Sequence, residues 1–153
     1  MQQLSRFASG TSTAALLKID SLNVLLPQGD IRTLESSTDV DTIAPALHSV
    51  GWTTYLQKRW PVYCLSEELA LMNIVPPERR ACAIVTMGTG YIAIMCDDLI
   101  VLKDFTAHRY ELLVAMKIAA TPILYLVDYE QGIASVCNAN RLTAYIGQLV
   151  LKV

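Results

Sequence analysis

Charged side chains are scarce in this sequence. They make up 17% of the 153 residues, whereas hydrophobic side chains make up 53%. An average globular domain is about a quarter charged. A composition this apolar predicts either a large core or an apolar surface reserved for a partner. The length suits one domain, or two closely packed subdomains that share a core.

Basic and aromatic side chains are also few. Twelve basic residues are balanced by fourteen acidic ones, giving a net charge of −2, and the chain has seven Tyr, two Phe and two Trp. Nucleic-acid binding requires a basic surface and often uses aromatic stacking on the bases. We therefore expect no nucleic-acid partner.

Long apolar stretches are absent as well. The apolar runs fall short of the roughly 18 residues that a membrane helix needs. Polar residues from Ser9 to Thr13 interrupt the N-terminal region, where a signal peptide would be continuously apolar. We expect a cytoplasmic protein that does not insert into a membrane.

The cysteines show no CxxC spacing, and each lies in or beside an apolar run, which favours buried, reduced thiols. They are Cys64, Cys82, Cys96 and Cys137. A catalytic cysteine would need a nearby histidine, and neither His48 nor His108 lies in a recognisable motif. We expect no enzyme activity; the alternative is a thiol enzyme that uses Cys64 or Cys96 with a histidine.

Signals for cofactors and metals are similarly weak. Asp97 and Asp98 are better explained by a turn than by a metal site, because adjacent strand residues point in opposite directions. Residues 88–90, GTG, lack the following helix and lysine of a phosphate-binding loop. We expect no cofactor and no bound metal.

Short strands separated by turns dominate the pattern, roughly nine or ten of them, without regular alternation of strand and helix. This predicts an all-β fold with sandwich or barrel geometry and one or two short helices. Ser66 is expected to begin a short helix, and a last helix around residues 142–149 is expected to be capped by Asn138 or Asn140. The predicted strands include residues 14–19, 22–26, 31–34, 81–87, 91–96, 99–102, 112–116 and 123–127.

Residues 51–65, GWTTYLQKRWPVYCL, are the most distinctive segment. β-Branched and aromatic residues flank Lys58 and Arg59, which predicts two strands joined by a charged turn. Pro61 suits a strand start or a sheet edge, where no ladder N–H is needed. Lys58, Arg59 and Trp60 are a candidate partner-binding surface; the alternative is a solvated hairpin tip.

This segment resembles the central signature of the CheW-like domain family, the coupling modules of bacterial chemotaxis and related signalling arrays. The family pattern runs roughly G-V-I-N-L-R-G, three residues, then P-V-I-D-L. Gly51 matches the first glycine, Pro61 and Val62 match the proline and valine, and Leu65 matches the final leucine. Looser similarities to family strands lie at residues 16–35, 91–101 and 123–128.

Three signature positions differ from the family. Leu56 occupies the arginine position, Gln57 the second glycine and Cys64 the aspartate. In the family, the arginine region is tied to contacts with receptor or kinase. Because leucine has none of the five donors of arginine, the resemblance implies that the partner surface is remodelled or abandoned. The residues that we assign to this surface as a hypothesis are Leu56, Gln57, Lys58, Arg59 and Trp60.

The resemblance implies one CheW-like domain over residues 1–153. It implies two small five-stranded, SH3-like barrels around a common hydrophobic core. The implied function is a non-catalytic adaptor that couples a chemotaxis-type histidine kinase to methyl-accepting receptors, or to a pilus or other motility output. The alternative is an orphan module outside chemotaxis that forms homo-oligomers or binds a small ligand.

Overall fold

The computed structural model describes residues 13–103, 108–111, 121–129 and 131–151. Residues 1–12 and the predicted strand at residues 112–116 lie outside the described residues. In chain order the elements are β1 (Thr13–Ile19), β2 (Leu22–Pro27), β3 (Ile31–Ser36), β4 (Gly51–Tyr55), β5 (Lys58–Tyr63), β6 (Ala81–Met87), β7 (Gly90–Cys96), β8 (Asp98–Lys103), β9 (His108–Tyr110), β10 (Tyr125–Tyr129), β11 (Gly132–Val136) and α1 (Ala139–Leu151).

The strands form two sheets, one for each subdomain. The first has the order β8-β1-β2-β11-β10-β9, and the second has the order β3-β6-β7-β5-β4. In each sheet a short parallel contact joins two hairpins, through β2 and β11 in the first and through β5 and β7 in the second. The predicted all-β fold with two subdomains is confirmed, with six strands in the first sheet and five in the second.

The second sheet curls until its two edges meet. Asp41, which follows edge strand β3, exchanges backbone hydrogen bonds with Trp52 of edge strand β4, and both N···O distances are 2.8 Å. Gly51 permits this approach, because a Cβ atom there would lie 2.5 Å from the Asp41 carbonyl oxygen. The glycine that matches the family signature therefore lies where the barrel closes.

The core lies both between the sheets and inside each of them. Along β6, Ala83 and Val85 face the core shared by the two subdomains, whereas Cys82 and Ile84 face the interior of the second subdomain. This alternation follows from the two-residue period of a strand and requires apolar residues on both faces. The shared core is completed by residues of the first sheet and α1, including Leu17, Ile19, Val24, Leu26, Leu142 and Ile146.

Helix α1 covers the shared core and begins where the sequence predicts. Of the two predicted caps, Asn138 is the one observed, since its Oδ1 accepts the N–H of Arg141 at 2.9 Å. Asp30, in the connection between β2 and β3, adds a second cap by accepting the N–H of Ala139 at 2.8 Å. A carboxylate at this position also interacts favourably with the helix dipole.

The prediction that a short helix begins at Ser66 is wrong. Ser66 does behave as a cap, because its Oγ accepts the N–H groups of Glu68 at 3.2 Å and Ala70 at 3.1 Å. The chain then reverses: Leu69 has a φ of 63°, in the left-handed region, and Leu71 pairs with Leu65 in an isolated bridge. The capping signal produces one turn and no helix.

Candidate functional site

The hairpin turn lies two residues before the predicted one. Leu56 and Gln57 connect β4 to β5, and their φ values of 52° and 65° match the twist of two-residue hairpin turns. Lys58 and Arg59, which the sequence places in the turn, are instead the first residues of β5 and pair with β4. The tip therefore carries an exposed apolar side chain, since Leu56 is 63% exposed.

Arg59 lies over the ring of Trp52. Its guanidinium carbon is 4.9 Å from the ring centroid, and one guanidinium nitrogen is 3.4 Å from the Asp41 carboxylate. The Arg59 and Asp41 side chains are 55% and 51% exposed, so this ion pair adds little stability. Trp52 is oriented by a hydrogen bond from its Nε1 to the Ala44 carbonyl oxygen at 2.9 Å. Arg59 thus remains accessible to a partner.

Trp60 packs inward. Its ring meets Tyr91 edge to face at a centroid distance of 5.3 Å, and Tyr91 meets Tyr55 in the same way at 5.0 Å. Its Nε1 donates to the Tyr55 carbonyl oxygen at 2.9 Å. Gly90 leaves space for the ring, because a Cβ atom there would lie 2.9 Å from it. Trp60 therefore stabilises the hairpin, and residues 56–59 form the exposed part of the hypothesised surface.

The sequence predicts that Pro61 lies at a strand start or a sheet edge. In the structure, Pro61 lies inside β5. Strand β5 lies between β4 and β7. On β4, Trp52 lies opposite Pro61, but the backbone N–H and C=O of Trp52 bond to Asp41. On the other side, the pairing of β5 with β7 begins only at Val62. No ladder bond therefore requires an N–H at Pro61. Val62 and Leu65 are 0% exposed, so these signature residues belong to the core.

A groove between the two subdomains is a second surface feature. It has a volume of about 130 Å³ and lies between β3 and β8, an edge strand of each sheet. Ile31 and Leu99 form its floor and pack against the shared core. Leu34 and Val101 line it with 40% and 39% exposure. Of the described residues that line it, Arg32 alone is charged.

A larger apolar groove, of about 310 Å³, lies between α1 and the second sheet. Pro61, Tyr63 and Ile92 contribute from the sheet, and Val150 contributes from the helix. Leu151 lies at its rim and is 84% exposed. The sequence reveals neither groove, because the lining residues of each are far apart in the chain.

The environment of the cysteines disfavours catalysis. All four are free and buried. Burial raises the pKa of Cys96 and of Cys137 to about 12, and that of Cys82 to about 11. Burial also raises the pKa of Cys64, although the neighbouring Arg79 acts in the opposite direction. Because the thiolate is the reactive form, these sites argue against the thiol-enzyme alternative.

Asp97 and Asp98 serve the fold. Asp97 accepts the N–H of Asp20 at 2.9 Å and forms an ion pair with Arg79. Asp98 accepts the N–H of the next residue, Leu99, at 2.8 Å. Within the described ranges, no group of three or more His, Cys, Asp or Glu side chains could hold a metal ion.

Neither the protein-family models nor the curated proteins contain a match to this sequence. Among solved structures, the crystal structure of the scaffolding protein CheW from Thermoanaerobacter tengcongensis (TtCheW) is similar to this chain. The TM-score is 0.62, over 85% of this chain and 90% of TtCheW, at 11% sequence identity. The fold is CheW-like. The resemblance carried by residues 51–65 is thereby confirmed at the level of the fold.

Within the CheW-like fold, the signature residues and the hypothesised partner residues occupy different places. Gly51, Pro61 and Val62 lie in paired strands of the second sheet and Leu65 lies in the shared core, whereas residues 56–59 lie at the exposed end of the hairpin. In the part of the chain that the structure describes, no helix is long and apolar enough to cross a membrane.

Proposed function

We propose that this chain is a non-catalytic, cytoplasmic adaptor in a chemotaxis-type signalling assembly, acting as one CheW-like domain over residues 1–153. It couples a histidine kinase to methyl-accepting receptors, or to a pilus or other motility output. The main support is an apolar groove, bounded by edge strands β3 and β8, on a CheW-like fold. TtCheW, which has this fold, is a scaffolding protein.

The groove suits a receptor segment better than a folded kinase domain. A volume of about 130 Å³ accommodates one or two apolar side chains, such as a helix or an extended segment can present. Leu34 and Val101 supply apolar contact, and Arg32 beside them can pair with a carboxylate on the partner. We assign the groove to a segment of the receptor tip that presents apolar side chains and a neighbouring carboxylate. The kinase then binds elsewhere, and the exposed residues 56–59 are the candidate surface.

The substitution Val101→Asp tests this assignment. The new carboxylate would lose its hydration when the groove is occupied and would compete with the receptor's carboxylate for Arg32, so we expect receptor binding to weaken about tenfold or more. Ile133→Asp is the matched control, because Ile133 is also a β-branched strand residue of the first sheet, 60% exposed and outside the groove lining. Biolayer interferometry with a receptor cytoplasmic fragment and the kinase from the same genome gives both affinities.

We expect Val101→Asp to leave kinase binding unchanged and Ile133→Asp to change neither affinity. Equal loss of receptor binding in the two variants would contradict the groove assignment. If the folded wild-type chain bound neither partner at concentrations on the order of tens of micromolar, far weaker than specific complexes usually require, the adaptor function itself would be wrong.

An orphan module that forms homo-oligomers is the second candidate function. The 310 Å³ groove beside α1, with Leu151 84% exposed at its rim, favours it. Sedimentation velocity separates the two candidates. A dimer that Leu151→Asp dissociates would support the orphan module, whereas a monomer at every concentration would rule it out.

A further inference from the structure

Arg79 is a charged side chain that is only 1% exposed. Its Nη2 donates a hydrogen bond to the Asp20 carboxylate at 2.9 Å, and its Nε lies 2.9 Å from the Asp97 carboxylate as an ion pair without hydrogen-bond geometry. It also donates to the Leu65 carbonyl oxygen at 2.7 Å. A buried charge is stable only when it is paired and hydrogen-bonded. Arg79 therefore ties its position to that of both carboxylates.

These carboxylates lie in, or next to, the first subdomain. Asp20 belongs to the β1–β2 turn, and Asp97 immediately precedes β8 and donates its N–H to the Lys18 carbonyl oxygen at 2.7 Å. A second contact reinforces the junction, since the N–H of Ser21 donates to Glu67 Oε2 at 3.3 Å and the Ser21 hydroxyl bonds the same oxygen. Both residues of the β1–β2 turn are thus held by side chains from the segment between β5 and β6.

The same ion pair connects the two walls of the β3–β8 groove. Arg79 lies just before β6, the neighbour of β3 in the second sheet, and the N–H of Ser37 donates to the Arg80 carbonyl oxygen at 2.9 Å. Asp97 lies just before β8. The contact between Arg79 and Asp97 therefore fixes the start of β8 relative to the end of β3.

We propose that Arg79 is a positioning residue that sets the orientation of the two subdomains and so keeps the β3–β8 groove at its binding-competent width. The part that concerns receptor binding rests on the proposed function, whereas the part that concerns orientation does not. Arginine suits this role because its planar group donates in several directions at once. Lysine has a single charged nitrogen and cannot reproduce that geometry.

Distance measurements by double electron–electron resonance test the relative orientation of the two subdomains directly. Spin labels are placed by Gln57→Cys and Gln131→Cys, at exposed turn residues of the second and first sheets, and the native cysteines are buried. We expect one narrow distance distribution with Arg79 and a broadened one in the Arg79→Lys variant. An unchanged distribution in a folded Arg79→Lys protein would overturn the proposal.

A pair of neighbouring carboxylates supplies a second test that does not depend on the folding of the Arg79 variant. Asp97→Asn weakens the Arg79 contact, whereas Asp98→Asn alters a carboxylate that accepts the N–H of Leu99. We expect the distance distribution to broaden only with Asp97→Asn. Equal effects of the two substitutions would contradict the positioning role.

Receptor affinity then tests the link to the groove. If Arg79→Lys lowers the fraction of molecules with a competent groove to about 10–20%, the apparent Kd rises about 5–10-fold. A broadened distribution with unchanged receptor affinity would overturn this link. Failure of the wild-type chain to bind any receptor would instead overturn the proposed function, and the distance measurements would still decide the orientation.

Discussion

Replacing Leu16, which lies in the first subdomain, by alanine should also lower the stability of the second subdomain. Leu16 is 0% exposed inside the first subdomain, on the face of β1 opposite the shared core. Truncating such a buried leucine costs about 2–5 kcal/mol. Both tryptophans of the chain, Trp52 and Trp60, lie in the second subdomain. Their fluorescence therefore reports the unfolding of the second subdomain, in which no residue is replaced.

A shared core makes the two subdomains unfold together, so both should lose stability. For a chain of this size, 1 kcal/mol shifts Tm by about 2–4 °C. We expect Leu16→Ala to lower the midpoint by roughly 4–20 °C, equally in tryptophan fluorescence and in far-UV circular dichroism. The reciprocal control is Ile84→Ala, at a residue 0% exposed inside the second subdomain, which should also shift both signals together.

The result that would refute this reasoning is a separation of the two signals. If the fluorescence midpoint of Leu16→Ala stayed at the wild-type value while circular dichroism showed an earlier transition, the subdomains would unfold independently. The contacts across the shared core would then be too weak to couple them.

Three further predictions concern the hairpin and the thiols. Lys58→Ala should change the free energy of unfolding by less than about 0.5 kcal/mol, whereas Val62→Ala should cost about 2 kcal/mol because Val62 is 0% exposed; comparable losses in urea denaturation would show that the strand and the exposed end are misassigned. All four cysteines are buried and free, so they should resist a thiol reagent at pH 8 until the chain unfolds. Because burial raises the pKa of Cys96 to about 12, the unfolded chain loses thiol protons first as pH rises past about 8.5, and stability should fall above that pH. Rapid labelling of the native protein would contradict the burial of the thiols. An unchanged free energy of unfolding at pH 9.5 would contradict the raised pKa of Cys96.

Alternating and apolar patterns in the sequence were sufficient to predict most strands, because they reflect local constraints. Strands β1, β2, β6 and β7 lie close to their predicted limits, since turn residues bound each apolar run. The position of the turn at Leu56 and Gln57 was not predictable from charge alone. Positive φ values at two non-glycine residues arise because pairing of β4 with β5 sets the register.

The contacts between subdomains were beyond local reasoning. Arg79 and Asp20 are 59 residues apart, and Asp30 caps a helix that begins 109 residues later. The groove likewise combines β3 with β8, which belong to different sheets. Single-sequence patterns carry no information about which distant segments meet, so these features required the structure. The family resemblance at residues 51–65 supplied the architecture but not the surfaces.

The most direct test of the adaptor function is formation of a three-component complex. The chain is mixed with the histidine kinase and a receptor cytoplasmic fragment from the same genome, and the mass of the products is measured by size-exclusion chromatography with light scattering. We predict that kinase and receptor co-elute only when the chain is present, and that Val101→Asp releases the receptor while the kinase stays bound. A folded chain that elutes alone, with kinase and receptor unaffected by its presence, would contradict the account.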